Sequence, residues 1–377
     1  MDLSLTETQE MLKSSGKDFV HQEYSKEVLL DLDDGDTGFT QELWDKMATI
    51  GWLGIAIPQE YGGEGGTLTD AAVLFHELGR GPVPGPHYSS SVLGAMLVLE
   101  GGTEEQKRQM LPAIAQGSQI LSLAVTESEY GWGPQSLRME AGQKDGGFLL
   151  NGVKLFVQDA LTATHLVCAV RTGDGDGPSG GISLLVVDAK SPGVEVRSLP
   201  GFLAQSCEVK FDSVEVPESA LLGETPGDGW GVLERAMERA IPVLCSYKVG
   251  GSEAVFEMSV AYSQTRVQFG KPIGRFQRVQ DHIVSLVNHL DSARWTTNEA
   301  LWKLDTERPA AGSVHLAKAV SSEAYYQACN YAHEVHAGVG VMREYGLTLH
   351  TKASRTLYHY LGSPRYHKRR LAQVLEL

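Results

Sequence analysis

The chain has 377 residues, 42% of them hydrophobic, and 32 Lys and Arg against 47 Asp and Glu give it a net charge of −15. That length accommodates two or three domains with sizeable buried cores, which excludes a disordered chain. An acidic surface repels phosphate backbones and anionic lipid, so neither nucleic acid nor a membrane is an expected partner, although a local basic pocket could still admit an anionic small molecule.

Residues 1–117 read as a helical domain. Apolar residues recur at helical spacing from Thr6 to Phe19, Leu43 to Leu53, Thr69 to Leu78 and Ser91 to Leu99. Glycine and proline punctuate at Pro58–Gly66 and Gly79–Pro86, and Thr103 with Gln106 forms a capping-box signature that opens a further helix. Residues 118–227 change texture. Short β-type runs at Ile120–Val125, His165–Val170, Ile182–Val187 and Gly193–Val196 are separated by turn-rich stretches such as Gly173–Gly177, which predicts a barrel or sandwich. Residues 228–377 return to helical periodicity, with Trp230–Gln264, Gln277–Thr306 and Ala310–Ala337 each long enough for a four-helix bundle. The order helical, β, helical gives an α+β class and excludes the strict β–α alternation of Rossmann and barrel folds.

Cys168, Cys207, Cys245 and Cys329 lie far apart with no CxxC pair, so they are expected as buried thiols, and no metal is called for. The opening MDLSLTETQEMLKSSG lacks an apolar signal core, and no window approaches 18 uninterrupted apolar residues. A soluble, cytoplasmic protein is expected.

Thr265-Arg266-Val267-Gln268-Phe269-Gly270-Lys271-Pro272-Ile273-Gly274, followed by Phe276-Gln277, resembles the signature of the acyl-CoA dehydrogenases. Further segments fall in the family's order: Ile57–Gly63, Glu77–Arg80, Gly102–Lys107, Leu111-Pro112, Thr126-Glu127, and Asn151–Lys154 as a β-domain hairpin. The resemblance implies an N-terminal helical domain, a central β-barrel or sandwich and a C-terminal four-helix bundle, in a dimer or tetramer. It also implies FAD. Thr126 would give a hydroxyl to the ring, Phe156 and Gln158 would flank N5, Arg266 would meet the pyrophosphate, and Gln268 and Phe269 would line the adenosine end. Read alone, Arg-x-Gln-Phe-Gly could be no more than a helix end capped by Gly270. His336–Gly340, with Gly338 and Gly340, resembles the segment that contacts a neighbouring subunit's FAD; Glu334 stands where the family generally has Gln, and a carboxylate there would repel a diphosphate.

Oxidation of an acyl thioester needs a base for the α-proton. The family's Tyr-Glu-Gly triplet corresponds here to Tyr360-Leu361-Gly362, and leucine accepts no proton. A second family position for the base falls on Tyr247, a poor base near neutral pH. Some members carry it in a Glu-Arg pair on the first long C-terminal helix, which makes Glu238, with Arg239, the surviving candidate; the alternative is a solvated residue of an amphipathic helix, since Glu234-Arg235 repeats the dipeptide. His87, Tyr88 and Ser89, with Tyr360 and Gly362, would line the acyl pocket. The basic run Arg365–Arg370 could meet coenzyme A phosphates, a partner subunit or only solvent.

Three readings follow. The first is FAD-dependent oxidation of an acyl-CoA, of a branched, cyclic or bulky acyl group, to the 2,3-enoyl-CoA, with electrons passing to an electron-transfer flavoprotein. The second is a non-catalytic subunit in a hetero-oligomer with a related chain. The third is other flavin redox or oxygenase chemistry.

Overall fold

A computed structural model describes residues 4–129, 131–144, 146–173, 175–201 and 205–377. Asp174, within the expected turn at 173–177, and residues 1–3 of the N-terminal reading lie outside them.

The chain packs as two compact units. One comprises the residues up to Asp34, Leu68–Val83 and Ile241–Leu377; the other comprises Gly35–Thr67 and Pro84–Ala240. The helices before the first strand are α1 (Glu7–Glu23), α2 (Lys26–Asp34), α3 (Gln41–Thr49), α4 (Leu68–Arg80), α5 (Ala95–Gly101) and α6 (Glu104–Ala115). Both α1 and α6 open on full capping boxes, Thr6 with Gln9 and Thr103 with Gln106, the second as its sequence predicts. The periodicity over 43–53 overruns its helix, because Gly51 at φ 81° turns the chain into the left-handed region just past α3. The segment 91–99 begins earlier than expected, as wide π-type turns over Ser89–Gly94 that run into α5. Helix α2 is not among the elements the sequence predicts.

The β strands form a two-layer sandwich. β1 (Leu121–Ala124), β4 (His165–Arg171) and β5 (Ile182–Asp188) make a three-stranded sheet in the order β1-β4-β5, with β1 parallel to β4. β2 (Ala141–Lys144), β3 (Gly147–Gln158), β6 (Val194–Ser198) and β7 (Ser206–Pro217) make an antiparallel sheet in the order β2-β3-β7-β6. One core joins the layers, with Leu166, Cys168 and Leu185 from the first and Leu150, Val157, Val209 and Phe211 from the second.

Asn151–Lys154 are not the hairpin's turn. They sit inside β3, its second strand, where the register slips between Leu150 and Gly152. An Asn-Gly pair reads as a turn, but here the Asn151 side chain accepts the Ser213 amide of the neighbouring strand at 2.8 Å and the glycine serves a bulge.

After the sandwich come α7 (Gly229–Thr265), the short hairpin β8 (Val267–Gln268) and β9 (Lys271–Pro272), then α8 (Gln277–Asp305), α9 (Ala311–His336), α10 (Leu347–His359) and α11 (Pro364–Val374). α7 crosses the unit boundary after Ala240. Val255, Leu286, Tyr325, Cys329 and Leu347 bury together where α7, α8, α9 and α10 meet. Gly79 of α4 lets that helix approach α7 so closely that a Cβ would collide with the Tyr247 carbonyl. All four cysteines are buried and free, as expected. Among the described residues no helix is long and apolar enough to cross a membrane.

Candidate functional site

The mixed unit gathers several of the expected residues at the end of β3. Phe156, at φ 54°, lies in the register slip between Lys154 and Val157, and Asp159, at φ 60°, follows Gln158, the last residue paired with β7. Gln158 and Asp159 are buried and Phe156 is half-buried. Thr126 is half-buried beside them, its carbonyl accepting the Leu155 amide at 2.8 Å. The π-type turn brings in the second group: Ser89 Oγ donates to Asp159 Oδ2 at 2.6 Å, and Gln158 Nε2 donates to Oδ1 at 3.4 Å. Tyr88 donates its hydroxyl to the Ala240 carbonyl at 3.0 Å. His87 is buried, and burial alone pulls its pKa down to about 4, so it is neutral at physiological pH. Asp159 goes the opposite way: burial raises it to about 6 against the two donors that favour its charged form. No salt bridge engages it among the described residues.

Glu127 is placed differently. It accepts from Lys154 Nζ at 2.7 Å and from the Arg138 and Met139 amides, and it pins its loop to the sandwich. A carboxylate so engaged is structural.

Glu238 is half-buried on α7, with Ala236, Met237 and Ala240 buried around it. Burial and then the charge of Glu100 push its pKa up, against the attraction of Arg239. Arg239 is exposed and reaches Glu100 at 3.7 Å, as Arg235 does at 3.3 Å. At about 100° per residue, Glu238 lies some 160° round the helix from Ala240, whose carbonyl Tyr88 holds. The structure therefore gathers His87–Ser89 with Gln158, Asp159 and Ala240, and leaves Glu238 on the face of the Glu100 ion cluster.

The helical unit carries the remaining expected residues. Arg266, Gln268 and Phe269 stand exposed on and beside the β8–β9 hairpin, whose turn has left-handed Phe269 and Gly270. Arg266 has no ion-pair partner among the described residues. Glu334 and Gly338 are exposed, and a Cβ at Gly338 would meet nothing within 4 Å; Gly340 is buried. Tyr247 is buried and donates to the Val83 carbonyl at 3.0 Å, which commits its hydroxyl to the fold. Tyr360 is half-buried, Leu361 is buried at φ 58°, and Gly362 follows at φ 101°. His367 Nε2 donates to the Leu361 carbonyl at 2.8 Å and Lys318 Nζ to that of Gly362 at 3.1 Å. Within the basic run 365–370, His367 is thus interior to α11 rather than part of a solvated face.

The residues unread in the sequence are Lys154, Lys248 and Lys318, all fully buried, and Asp159 as a buried acid. Lys248 and Lys318 had a signal: each sits in a helical run with no acid three or four residues away on either side.

Comparison with known proteins adds the family. The profiles described as acyl-CoA dehydrogenase N-terminal, middle and C-terminal domains match residues 6–118, 122–214 and 227–376. A probable acyl-CoA dehydrogenase, YngJ of Bacillus subtilis, is 30% identical over 353 residues, covering 92% of each chain. Among solved structures, an FAD complex of PigA superposes with a TM-score of 0.92 at 24% identity, each chain covered fully. A chain of the ChsE4-ChsE5 complex from Mycobacterium tuberculosis superposes at 0.89 with 25% identity, over 100% of this chain and 99% of that one. The chain belongs to the acyl-CoA dehydrogenase family and has its fold.

Proposed function

We propose that this chain is a flavoprotein that oxidises an acyl-CoA thioester to the 2,3-enoyl-CoA. The observation that carries the reading is the hydrogen bond between Ser89, on the expected acyl side, and Asp159, at the expected flavin side of β3. The residues present fit an FAD. An exposed guanidinium at Arg266, with no ion-pair partner among the described residues, suits a diphosphate, and the open face of Gly338 leaves room for backbone approach. Thr126, Phe156 and Gln158 would hold the ring, Gln268 and Phe269 would line the adenosine end, and Gly338 and Gly340 would meet a neighbouring subunit's FAD, with Glu334 exposed nearby in sequence. The flavin, when bound, accepts a hydride. Tyr88 and Ser89, together with buried neutral His87, would line the acyl group and exclude water from it, and Tyr360 and Gly362 keep the acyl-lining role that the resemblance implies. Glu238 would take the α-proton, its raised pKa bringing it toward the range a base needs. A branched, cyclic or bulky acyl group accords with leucine at 361, and an electron-transfer flavoprotein would be the electron acceptor. The domain limits we assign are 1–117, 118–227 and 228–377, and the location cytoplasmic.

Replacing Glu238 by Gln tests the assignment. Flavin reduction by substrate should fall by at least about a hundredfold, within the range for loss of a general base, while the bound flavin's spectrum stays unchanged. Retention of full activity removes Glu238 from the reaction.

A second reading has its own support. Glu238 faces the Glu100 ion cluster, Tyr247 is committed to Val83, and Leu361 carries no base, which suits a non-catalytic subunit paired with a related chain. The resemblance to a chain from the ChsE4-ChsE5 complex accords with such pairing. Failure of the chain to retain flavin until co-expressed with a related chain would favour it.

A further inference from the structure

Lys248 of α7 and Lys318 of α9 are fully buried, and their ammonium groups converge on one acceptor: Ser322 Oγ takes Lys248 Nζ at 2.8 Å and Lys318 Nζ at 3.2 Å. Lys318 also donates to the Gly362 carbonyl at 3.1 Å, directly behind the Tyr360-Leu361-Gly362 turn. Among the described residues no carboxylate forms a salt bridge with either lysine. The groups around them are themselves basic or neutral: Cys245 on α7, His359 at the end of α10, and His367 on α11. A carbonyl only accepts, so His367 carries its proton on Nε2 and accepts at Nδ1 from His315, 3.0 Å away. Glu323 is engaged by the Tyr358 hydroxyl instead. Two enclosed amines this close cannot both stay charged cheaply, and the pair keeps a proton between them. The result is a buried positive charge with no carboxylate paired to it among the described residues, held against the Gly362 carbonyl of the Tyr360-Leu361-Gly362 turn.

We propose that the Lys248–Lys318 pair is a fixed positive charge behind the acyl pocket, which favours thioesters whose acyl group becomes an anion at its α-carbon. The inference rests on the reading of Tyr360 and Gly362 as acyl-pocket residues. When the α C–H bond breaks, its electron pair spreads onto the thioester oxygen as an enolate and the proton leaves to solvent or a base; no oxidant is consumed. A preorganised positive charge in a low-dielectric interior stabilises that anion without reorganising. Lys248 and Lys318 are positioning residues here: they act through the field behind the Leu361–Gly362 backbone and touch no substrate.

The test uses the full chain with its bound flavin and acetoacetyl-CoA, a thioester with an acidic α-carbon, whose enolate absorbs in the ultraviolet. Bound to the wild-type protein, it should ionise about one pH unit lower than when bound to the double variant K248M/K318M, which keeps no buried amine to hold the proton, equivalent to about a tenfold preference for the anion. The single variant K318M, whose Lys248 still holds the proton, should show a smaller shift in the same direction. Methionine keeps the apolar stem and removes a buried amine, so both variants are expected to fold. Butyryl-CoA, which stays neutral, should bind all three proteins alike. If acetoacetyl-CoA ionises at the same pH on all three while butyryl-CoA still binds, the inference is overturned and the acyl-CoA reading stands. If neither thioester binds the wild-type protein, both are overturned.

Discussion

Two regions of the molecule bury lysine in opposite ways. In the sandwich, Lys154 meets Glu127 at 2.7 Å and the Ala169 carbonyl at 2.7 Å, a closed ion pair with its remaining donor capacity largely met. In the helices, Lys248 and Lys318 share a hydroxyl, and among the described residues no acid pairs with either. Burying a charge is costly in both places, but only the first recovers it locally through a partner. The first arrangement holds a loop; the second, on our proposal, sets a positive charge beside the Tyr360–Gly362 turn. Burial of a charged side chain thus says little about its role until its partner is named.

Removing one member of each group separates the two cases. Lys154→Met leaves Glu127 buried without its cation and should cost about 3–5 kcal/mol of stability in denaturant titration. The double change Lys154→Met with Glu127→Gln should recover a large part of it. Lys318→Met should move the other way, toward neutral or stabilising by about 1–3 kcal/mol, because it removes a desolvated amine and strands no acid. A loss as large as that of Lys154→Met would mean that an unrecognised anion compensates the pair.

The pH dependence sharpens the contrast. Burial lowers Lys248 from 10.5 to about 8, so between those values the unfolded chain binds more protons than the folded one. Stability contributed by this group therefore rises as pH increases from about 8 to 10.5, and the advantage of Lys248→Met over wild type should shrink across that window. Asp159 has the reverse sign. Its folded pKa of about 6 exceeds the ordinary 3.8, so the folded state holds the extra proton and wild-type stability falls as pH rises through that interval. Asp159→Asn should be more stable than wild type at pH 7 by up to about 2–3 kcal/mol and should lose that advantage near pH 4. The smallest effect is expected at Glu238, half-buried among Glu100 and two arginines: Glu238→Gln should alter the melting temperature little, whatever it does to flavin reduction.

Much of this architecture is legible in the sequence, for physical reasons. Long helices announce themselves by period, and Trp230–Gln264 and Gln277–Thr306 fall within a residue of α7 and α8. The four-residue β1 is legible because its run is apolar except for Ser122 and buried on both faces. The twelve-residue β3 and β7 are not, because bulges break their alternation, and Asn151-Gly152 imitates a turn while serving a side-chain bond to the next strand. Helix α2 is short, with Leu29 and Leu32 its only buried residues. At the site, motifs locate residues along the chain and leave their company unknown. The sequence shows Glu127 but not that Lys154 neutralises it, and Glu238 but not that Arg239 turns toward Glu100. Asp159 looks ordinary until Ser89, seventy residues earlier, is seen donating to it.

The most direct test of the account is the visible spectrum of the protein purified alone, repeated under anaerobic conditions with a series of acyl-CoA thioesters. The account predicts an oxidised flavin spectrum that bleaches when one of those thioesters is added. A colourless protein, or a flavin that none of them bleaches, would contradict it.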